Sequence, residues 1–217
     1  MRKLTIIVDL DSTVVDLHPA WFGRYNERYG DDLKAEDVVS WEVHKFAKSG
    51  KAIYNILKEP EFFRHLPAIP GALLATQKLQ HDGHRIVIVT SAPRFSHSDK
   101  AWWVDHNMPW VDHDDVFLGH SKDLVFADVM IDDGPHNIKA YRERWGFYPL
   151  LCAISHPYNQ DLHGVADLMA QDWKNPEQAW TQIVDEVRYF ADQDIRRDFP
   201  KKHDQGPFRF DDGQEAA

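Results

Sequence analysis

The stretch Ile6-Ile7-Val8-Asp9-Leu10-Asp11-Ser12-Thr13 decides how the rest of the chain is read. Three β-branched apolar residues in a row mark a buried strand. That strand ends on Asp9 and Asp11, with a single residue between them. Paired carboxylates at the end of a buried strand need something to offset their charge. A divalent cation with a phosphate-binding site around it would do so. Taken alone, the stretch also permits a turn in which Asp9 caps and Asp11 is solvated.

Three other places carry matching chemistry. The apolar run Ile86–Val89 leads into Thr90-Ser91, so hydroxyls follow a second strand. Val129-Met130-Ile131 leads into Asp132-Asp133-Gly134, a second carboxylate pair. Lys122 stands ten residues before Asp132. Further strand-like runs lie at Val125–Ile131 and Pro149–Ile154, and a short one at Val116–Leu118. Helices are expected over Gly71–Gln80, Ser98–His106 and Ile138–Trp145. Strands alternating with helices imply a parallel sheet covered on both faces, with ligands at the carboxyl ends of its strands. All the named polar groups would then share one edge. Magnesium prefers oxygen ligands, a carboxylate can attack phosphorus, and a second acid can protonate the leaving oxygen.

The alternation breaks once. Residues 17–69 hold no convincing strand and are rich in aromatics, among them Trp21, Phe22, Trp41, Phe62 and Phe63. They read as a helical cap placed over the Asp9/Asp11 loop. Near the end, Asn175, Pro176 and Gln178 predict a capped helix start, followed by an apolar stripe of Trp180, Ile183, Val184, Val187 and Ala191. The expected organisation is a core of residues 1–16 and 70–195, a cap of 17–69, and a polar, mobile or partner-docking tail of 196–217.

Composition is that of an ordinary globular protein, with 43% hydrophobic and 28% charged residues. A net charge of −10 argues against stable nucleic-acid binding but not against a small anionic substrate. The single cysteine, Cys152, excludes an intrachain disulfide and reads as a buried strand residue. Arg2 and Lys3 precede an apolar run too short for a secretory signal or a membrane span, and a cytoplasmic location is expected. None of the thirteen histidines has metal-site spacing; His18 and His97 could reach a ligand, and Asp112-His113-Asp114-Asp115 reads as a surface loop.

The ordered set Asp9-Leu10-Asp11-Ser12-Thr13, Thr90, Lys122 and Asp132-Asp133 resembles the four motifs of the haloacid dehalogenase superfamily of phosphatases. Within it, Glu59–Ala72, Thr90-Ser91-Ala92-Pro93, Asp128–Asp133 and Asp172-Trp173 are similar to segments of the 5'(3')-deoxyribonucleotidase family, over roughly residues 1–190. The resemblance implies an α/β fold, a Rossmann-like parallel sheet with a small helical cap inserted after the first strand. It implies Asp9 as nucleophile and metal ligand, and Asp11 as general acid/base and main-chain metal ligand. Asp132 would be the third ligand and Asp133 a support for the metal shell. Thr90, Ser91 and Lys122 would hold phosphate, Mg²⁺ would be the cofactor, and Trp41, Phe62 and Phe63 would hold the base beside a mouth lined by Leu17, Trp21 and Phe22. Two positions depart from the family pattern: Ser12 where glycine is common, and Gly134 where a basic residue is common.

The implied activity is hydrolysis of nucleoside monophosphates, most of all 5'(3')-deoxyribonucleotides. The alternatives are a phosphatase for another small ester or a polynucleotide 3'-phosphate, or a catalytically silent regulatory relative. The expected partner is a small nucleotide, with no membrane contact, and a homodimer is left open.

Overall fold

Continuous apolar strands form where both faces of a sheet are covered, and this chain builds such a sheet. The computed structural model describes residues 1–171 and 173–193. Asp172 and the tail expected over 196–217 lie outside the described residues. Six parallel strands run β1 (Thr5–Val8), β2 (Arg85–Thr90), β3 (Val116–Leu118), β4 (Val129–Ile131), β5 (Leu150–Ile154) and β6 (Leu168–Ala170). Their spatial order is β3-β2-β1-β4-β5-β6.

Side chains alternate between two cores. Ile6, Val8, Ile86, Ile88, Val129 and Ile131 face one. Helices α2 (Ala72–His81) and α5 (Pro176–Asp192) cover that face. Ile7, Val87, Val89, Met130 and Leu151 face the other, with Ile138 and Tyr141 of α4 (Pro135–Trp145). Cys152 is fully buried, and burial holds its thiol pKa well above the usual range.

Between β1 and α2 lies the helical insertion. It consists of α1 (Leu17–Tyr29) and 3₁₀ turns at Ala35–Asp37, Val43–Lys45 and Gly50–Lys58. Its aromatics mostly build its own packing; Trp21 Nε1, for example, donates to the Ile53 carbonyl at 2.9 Å. Trp103 of α3 (His97–Asn107) donates to the Leu66 carbonyl at 2.8 Å and ties the insertion to the core.

Several elements differ from the sequence expectation. Of the run Val125–Ile131, only the second half, the better strand by sequence, pairs as β4, and a 3₁₀ turn at Lys122–Leu124 precedes the run. Helix α4 starts three residues early, with Pro135 in its first turn, where a missing N–H costs nothing. Strand β6 has no alternating pattern and is made by its register with β5. Asn175 precedes α5 as expected, but its side chain makes no capping bond.

Candidate active site

The sheet order reverses direction about β1 and β4: from β1 the chain builds out to β2 and β3, then returns to add β4, β5 and β6 on the other side. Open parallel sheets leave a crevice at the carboxyl ends of their strands where such a reversal occurs. Asp9 follows β1 and Asp132 follows β4, so the sequence places a carboxylate on each side of that crevice. The Asp9 N–H donates to the Ile131 carbonyl at 3.0 Å, fixing the two loops together.

The β1 loop turns back at once. Val14 and Val15 N–H groups both donate to the Leu10 carbonyl at 2.8 Å. Ser12 holds a left-handed φ of 58°, and its N–H reaches the Val15 carbonyl at 2.9 Å. Only glycine adopts that conformation freely; serine carries roughly 1 kcal/mol of strain there.

Lys122 is 2% exposed and lies between the two loops. Its Nζ is 2.7 Å from Asp132 Oδ2 and 2.7 Å from Asp9 Oδ1. The contact to Asp9 is a close ion pair, and the buried Asp9 Oδ1 has no hydrogen-bond donor directed at it. Burial opposes the charge on Lys122, but the two carboxylates outweigh it and raise its pKa.

Asp132 is the most fully held of the acids. Its Oδ1 accepts from the Gly134 N–H at 2.7 Å, and Asn137 Nδ2 lies 3.1 Å from each carboxylate oxygen. A Cβ at Gly134 would stand 2.8 Å from Asn137 Nδ2 and 2.9 Å from Asp132 Oδ1. The departure at Gly134 therefore has a steric reason: a side chain there would displace the groups that orient Asp132. Asp133 accepts from Thr13 Oγ1 at 3.3 Å and from the Tyr158 hydroxyl at 2.5 Å. Asn159 Nδ2 donates to the Asp133 carbonyl at 2.9 Å.

Burial raises the pKa of all three further acids. Asp132 is pushed up to about 6 by burial, against the pull of Lys122. Asp133 is raised well above the usual range by burial and then by Asp132 and Asp9. Asp11 is raised by burial, with Lys100 opposing and Asp9 adding to the rise. Ligand atoms of Asp9, Asp132 and Asp133 lie within 4.8 Å of one another. An all-carboxylate donor set with one buried oxygen lacking a directed donor suits a hard divalent cation.

Above this cluster opens a cavity of about 370 Å³. Asp9, Asp11, Ser91, Lys122 and Asp133 form its floor, and Leu17, Trp21, Trp41 and Tyr54 of the insertion form its roof. Trp41 is 47% exposed and spans the mouth, with its ring centroid 4.7 Å from that of His136. Thr90 is fully buried behind the floor.

Phe62 and Phe63 do not line the cavity. They are 1% and 5% exposed and pack edge to face at 5.1 Å, Phe62 under Arg24 and Phe63 against Lys100. Contrary to expectation, they are not placed to hold a base in this cavity: packing has claimed both rings, and Trp21, Trp41, Tyr54 and Tyr158 line the space, with His18 and His136. Phe22 is likewise packed, 5.2 Å from His18. His97 bonds the Ala92 carbonyl at 3.0 Å and orders its own loop. In the Asp112–Asp115 loop, Asp112 accepts from the Asp114 N–H at 3.0 Å, and Asp115 is buried and pairs with Arg85.

Four groups carry the site without having been singled out from the sequence: Lys100, Asn137, Tyr158 and Asn159. The last two follow strand β5 and so share the carboxyl edge, a signal that the topology alone would have supplied.

Beneath the β1 loop, His156 stacks 4.8 Å from Tyr158 and donates to the Ser12 carbonyl at 3.3 Å. Burial, with His18 beside it, lowers its pKa to about 3; burial lowers that of His18 to about 4. A histidine held neutral in the fold but titrating near 6.5 when unfolded contributes stability above pH 6.5 that is lost as pH falls towards 3. Replacing His156 with Phe keeps the stack and removes the proton uptake. Between pH 6 and 4.5 wild type should lose stability relative to H156F by about 1 kcal/mol per pH unit, read from urea midpoints. Parallel pH profiles would contradict this.

Comparison with known proteins agrees with the geometry. Residues 2–185 match the family described as 5' nucleotidase, deoxy (pyrimidine), cytosolic type C protein. The 5'(3')-deoxyribonucleotidase of Clostridium acetobutylicum is 37% identical over 144 residues, 65% of this chain and 79% of that protein. That of Bacillus subtilis is 30% identical over 141 residues, 64% of this chain and 81% of that protein. Among solved structures, the HAD-hydrolase YfnB of Bacillus subtilis, bound to magnesium, superposes with a TM-score of 0.56 at 13% identity, over 89% of this chain and all of that one. A haloacid dehalogenase-like hydrolase of Burkholderia xenovorans gives 0.53 at 17% identity, over 83% of this chain and 99% of that one. At these identities the two structures speak for the fold alone. Among the described residues no helix is long and apolar enough to cross a membrane.

Proposed function

The chain belongs to the family of 5' nucleotidase, deoxy (pyrimidine), cytosolic type C proteins, and from that premise we propose how its site works. The substrate is a nucleoside monophosphate, a 5'(3')-deoxyribonucleotide foremost, and the reaction releases nucleoside and inorganic phosphate in the cytoplasm. The observation that carries the reading is the convergence of Asp9, Asp11, Lys122, Asp132 and Asp133 at the β1/β4 crevice, beneath one cavity roofed by aromatics.

Asp9 attacks phosphorus through a carboxylate oxygen while the bond from phosphorus to the ester oxygen breaks. The leaving oxygen takes the proton of the Asp11 carboxyl, a group that burial keeps protonated to higher pH than usual. Nucleoside departs. Asp11, now a carboxylate, takes a proton from water, and the oxygen of that water bonds to phosphorus as the Asp9–phosphorus bond breaks. Phosphate leaves, and both acids return to their starting forms. Asp9, Asp132 and the Asp11 main-chain carbonyl would hold Mg²⁺, which would supply positive charge to the phosphoryl oxygens. Asp133 orients that shell through Tyr158 and Thr13. Ser91 and Lys122 bind the phosphoryl oxygens; of the three N–H donors of Lys122, one is directed to Asp132, and the ammonium, which also lines the cavity, keeps donors for substrate.

The roof selects the substrate. A flat base stacks on Trp41, and such stacking is worth roughly 1–3 kcal/mol. Trp41→Ala should therefore raise KM for a deoxyribonucleotide by about tenfold or more, with a smaller change in kcat. An unchanged KM would assign the base to Trp21 and Tyr54 instead. The test of the function itself is a phosphate-release panel with Mg²⁺, comparing deoxyribonucleotides, sugar phosphates and 3'-phosphorylated oligonucleotides. Deoxyribonucleotides should give the highest kcat/KM; best turnover on a sugar phosphate would overturn the assignment.

A further inference from the structure

We infer that Lys100 is a positioning residue for Asp11, and that the closing segment of the helical insertion holds Lys100 in place. The inference rests on the reading above, in which Asp11 exchanges protons with the leaving group and with water.

Lys100 is 2% exposed, on the inward face of α3. Its Nζ donates to Asp11 Oδ2 at 2.5 Å, to Thr90 Oγ1 at 3.1 Å and to the Ser91 carbonyl at 2.7 Å. An ammonium has three N–H donors and accepts nothing. All three are used, so Lys100 has none to offer a phosphoryl oxygen. In this it differs from Lys122, the other buried lysine of the site. The three acceptors of Lys100 come from two strand ends, the Asp11 loop after β1 and the Thr90-Ser91 end of β2. The ammonium thus fixes the Asp11 carboxyl relative to the end of β2, with Asp11 still lining the cavity.

The insertion supplies the fourth side of that seat. The Phe63 ring centroid lies 4.8 Å from Lys100 Nζ, close enough for a cation–π contact. One residue on, Arg64 pairs with Asp99 at 3.3 Å, and its guanidinium lies 5.5 Å over Trp102. Trp103 then bonds the Leu66 carbonyl. Residues 63–66 are therefore fastened to α3 on both sides of Lys100. This gives Phe63 a task after its removal from the cavity wall: it backs the lysine that backs Asp11.

The test uses K100M and K100R, with folding checked by thermal melts, and two substrates that differ in leaving group. A deoxyribonucleotide leaves as an alkoxide and needs the Asp11 proton. p-Nitrophenyl phosphate leaves as a stable phenolate and does not. Both variants should lose about 100-fold or more in kcat on the deoxyribonucleotide, the size of a general acid–base contribution. The first-turnover burst of nitrophenolate should stay within about fivefold of wild type, and inhibition by inorganic phosphate within about threefold. K100R carries the test if K100M does not fold, because it keeps the charge but cannot reproduce the three-point geometry of an ammonium. Equal loss of the burst and of deoxyribonucleotide turnover, or phosphate inhibition weakened tenfold or more, would make Lys100 a phosphate ligand and overturn the inference. So would unchanged turnover in both variants. A wild-type protein without phosphatase activity would remove the functional reading and this inference together; an active wild type with unaffected variants would remove the inference alone.

Discussion

Asp9→Asn should yield a folded protein whose deoxyribonucleotide turnover is lower by about 10⁴-fold or more, because the amide is a poor nucleophile of nearly the same shape. Stability should not suffer. Asp9 is one of four carboxylates gathered around two buried lysines, and its charge is among the causes that raise the pKa values of Asp11, Asp132 and Asp133. Removing it relieves that crowding and leaves the Lys122–Asp132 pair at 2.7 Å intact. The urea midpoint at pH 7 should match or exceed that of wild type. Near-normal turnover in D9N would refute covalent catalysis at this residue. A variant that fails to fold would show instead that the Lys122–Asp9 contact is essential to the fold.

Lys122→Met should differ from D9N by losing stability as well as activity. The side chain is only 1% exposed and faces Asp9 and Asp132 together. Its removal leaves buried carboxylates without a compensating cation, a change that costs about 3–5 kcal/mol. The sign of the pH dependence follows from the acids left behind. Asp132 already has a folded pKa of about 6, above its unfolded value, and losing Lys122 raises it further. Such a group favours the folded state below its unfolded pKa and ceases to do so as pH rises through the folded one. K122M should therefore be less impaired at pH 5 than at pH 7 in urea melts with chelator present, and Mg²⁺ should recover part of the loss at pH 7. A loss below about 1 kcal/mol at pH 7 would mean that the acids are neutralised some other way.

Much of this site could be read before any coordinates, and the reason is topological. In a parallel sheet the strand ends share one edge, so carboxylates and hydroxyls placed directly after apolar runs must meet there. Asp9, Ser91, Asp132 and Asp133 are of this kind. Lys122 was legible through its distance from Asp132. Lys100 was not, because it sits in a helix between Asp99 and Ala101 where a charge ordinarily faces solvent. Its partners are Asp11, Thr90 and Ser91 on two strand ends and Phe63 of the insertion, several of them far away in sequence. Local periodicity carries no trace of such a contact.

Phe62 and Phe63 show the same limit from the other side. An aromatic in a cap segment can stack on a ligand or on its neighbours, and composition cannot distinguish the two. Strand β6 escaped notice because three residues cannot display an alternation, and only pairing with β5 defines it. The two departures at Ser12 and Gly134 became intelligible only with the backbone in view, one as a strained left-handed turn and the other as a position without room for a Cβ.

The central claim is that Asp9 carries the phosphoryl group in mid-reaction. It is tested most directly by acid-quenching the enzyme during turnover of a deoxyribonucleotide with Mg²⁺, reducing with borohydride and mapping the peptides. Reduction of an aspartyl-phosphate converts that aspartate to homoserine, so the account predicts homoserine at position 9 and at no other aspartate. Homoserine at Asp11 or Asp132, or none at all in a quenched enzyme that is releasing phosphate, would contradict it.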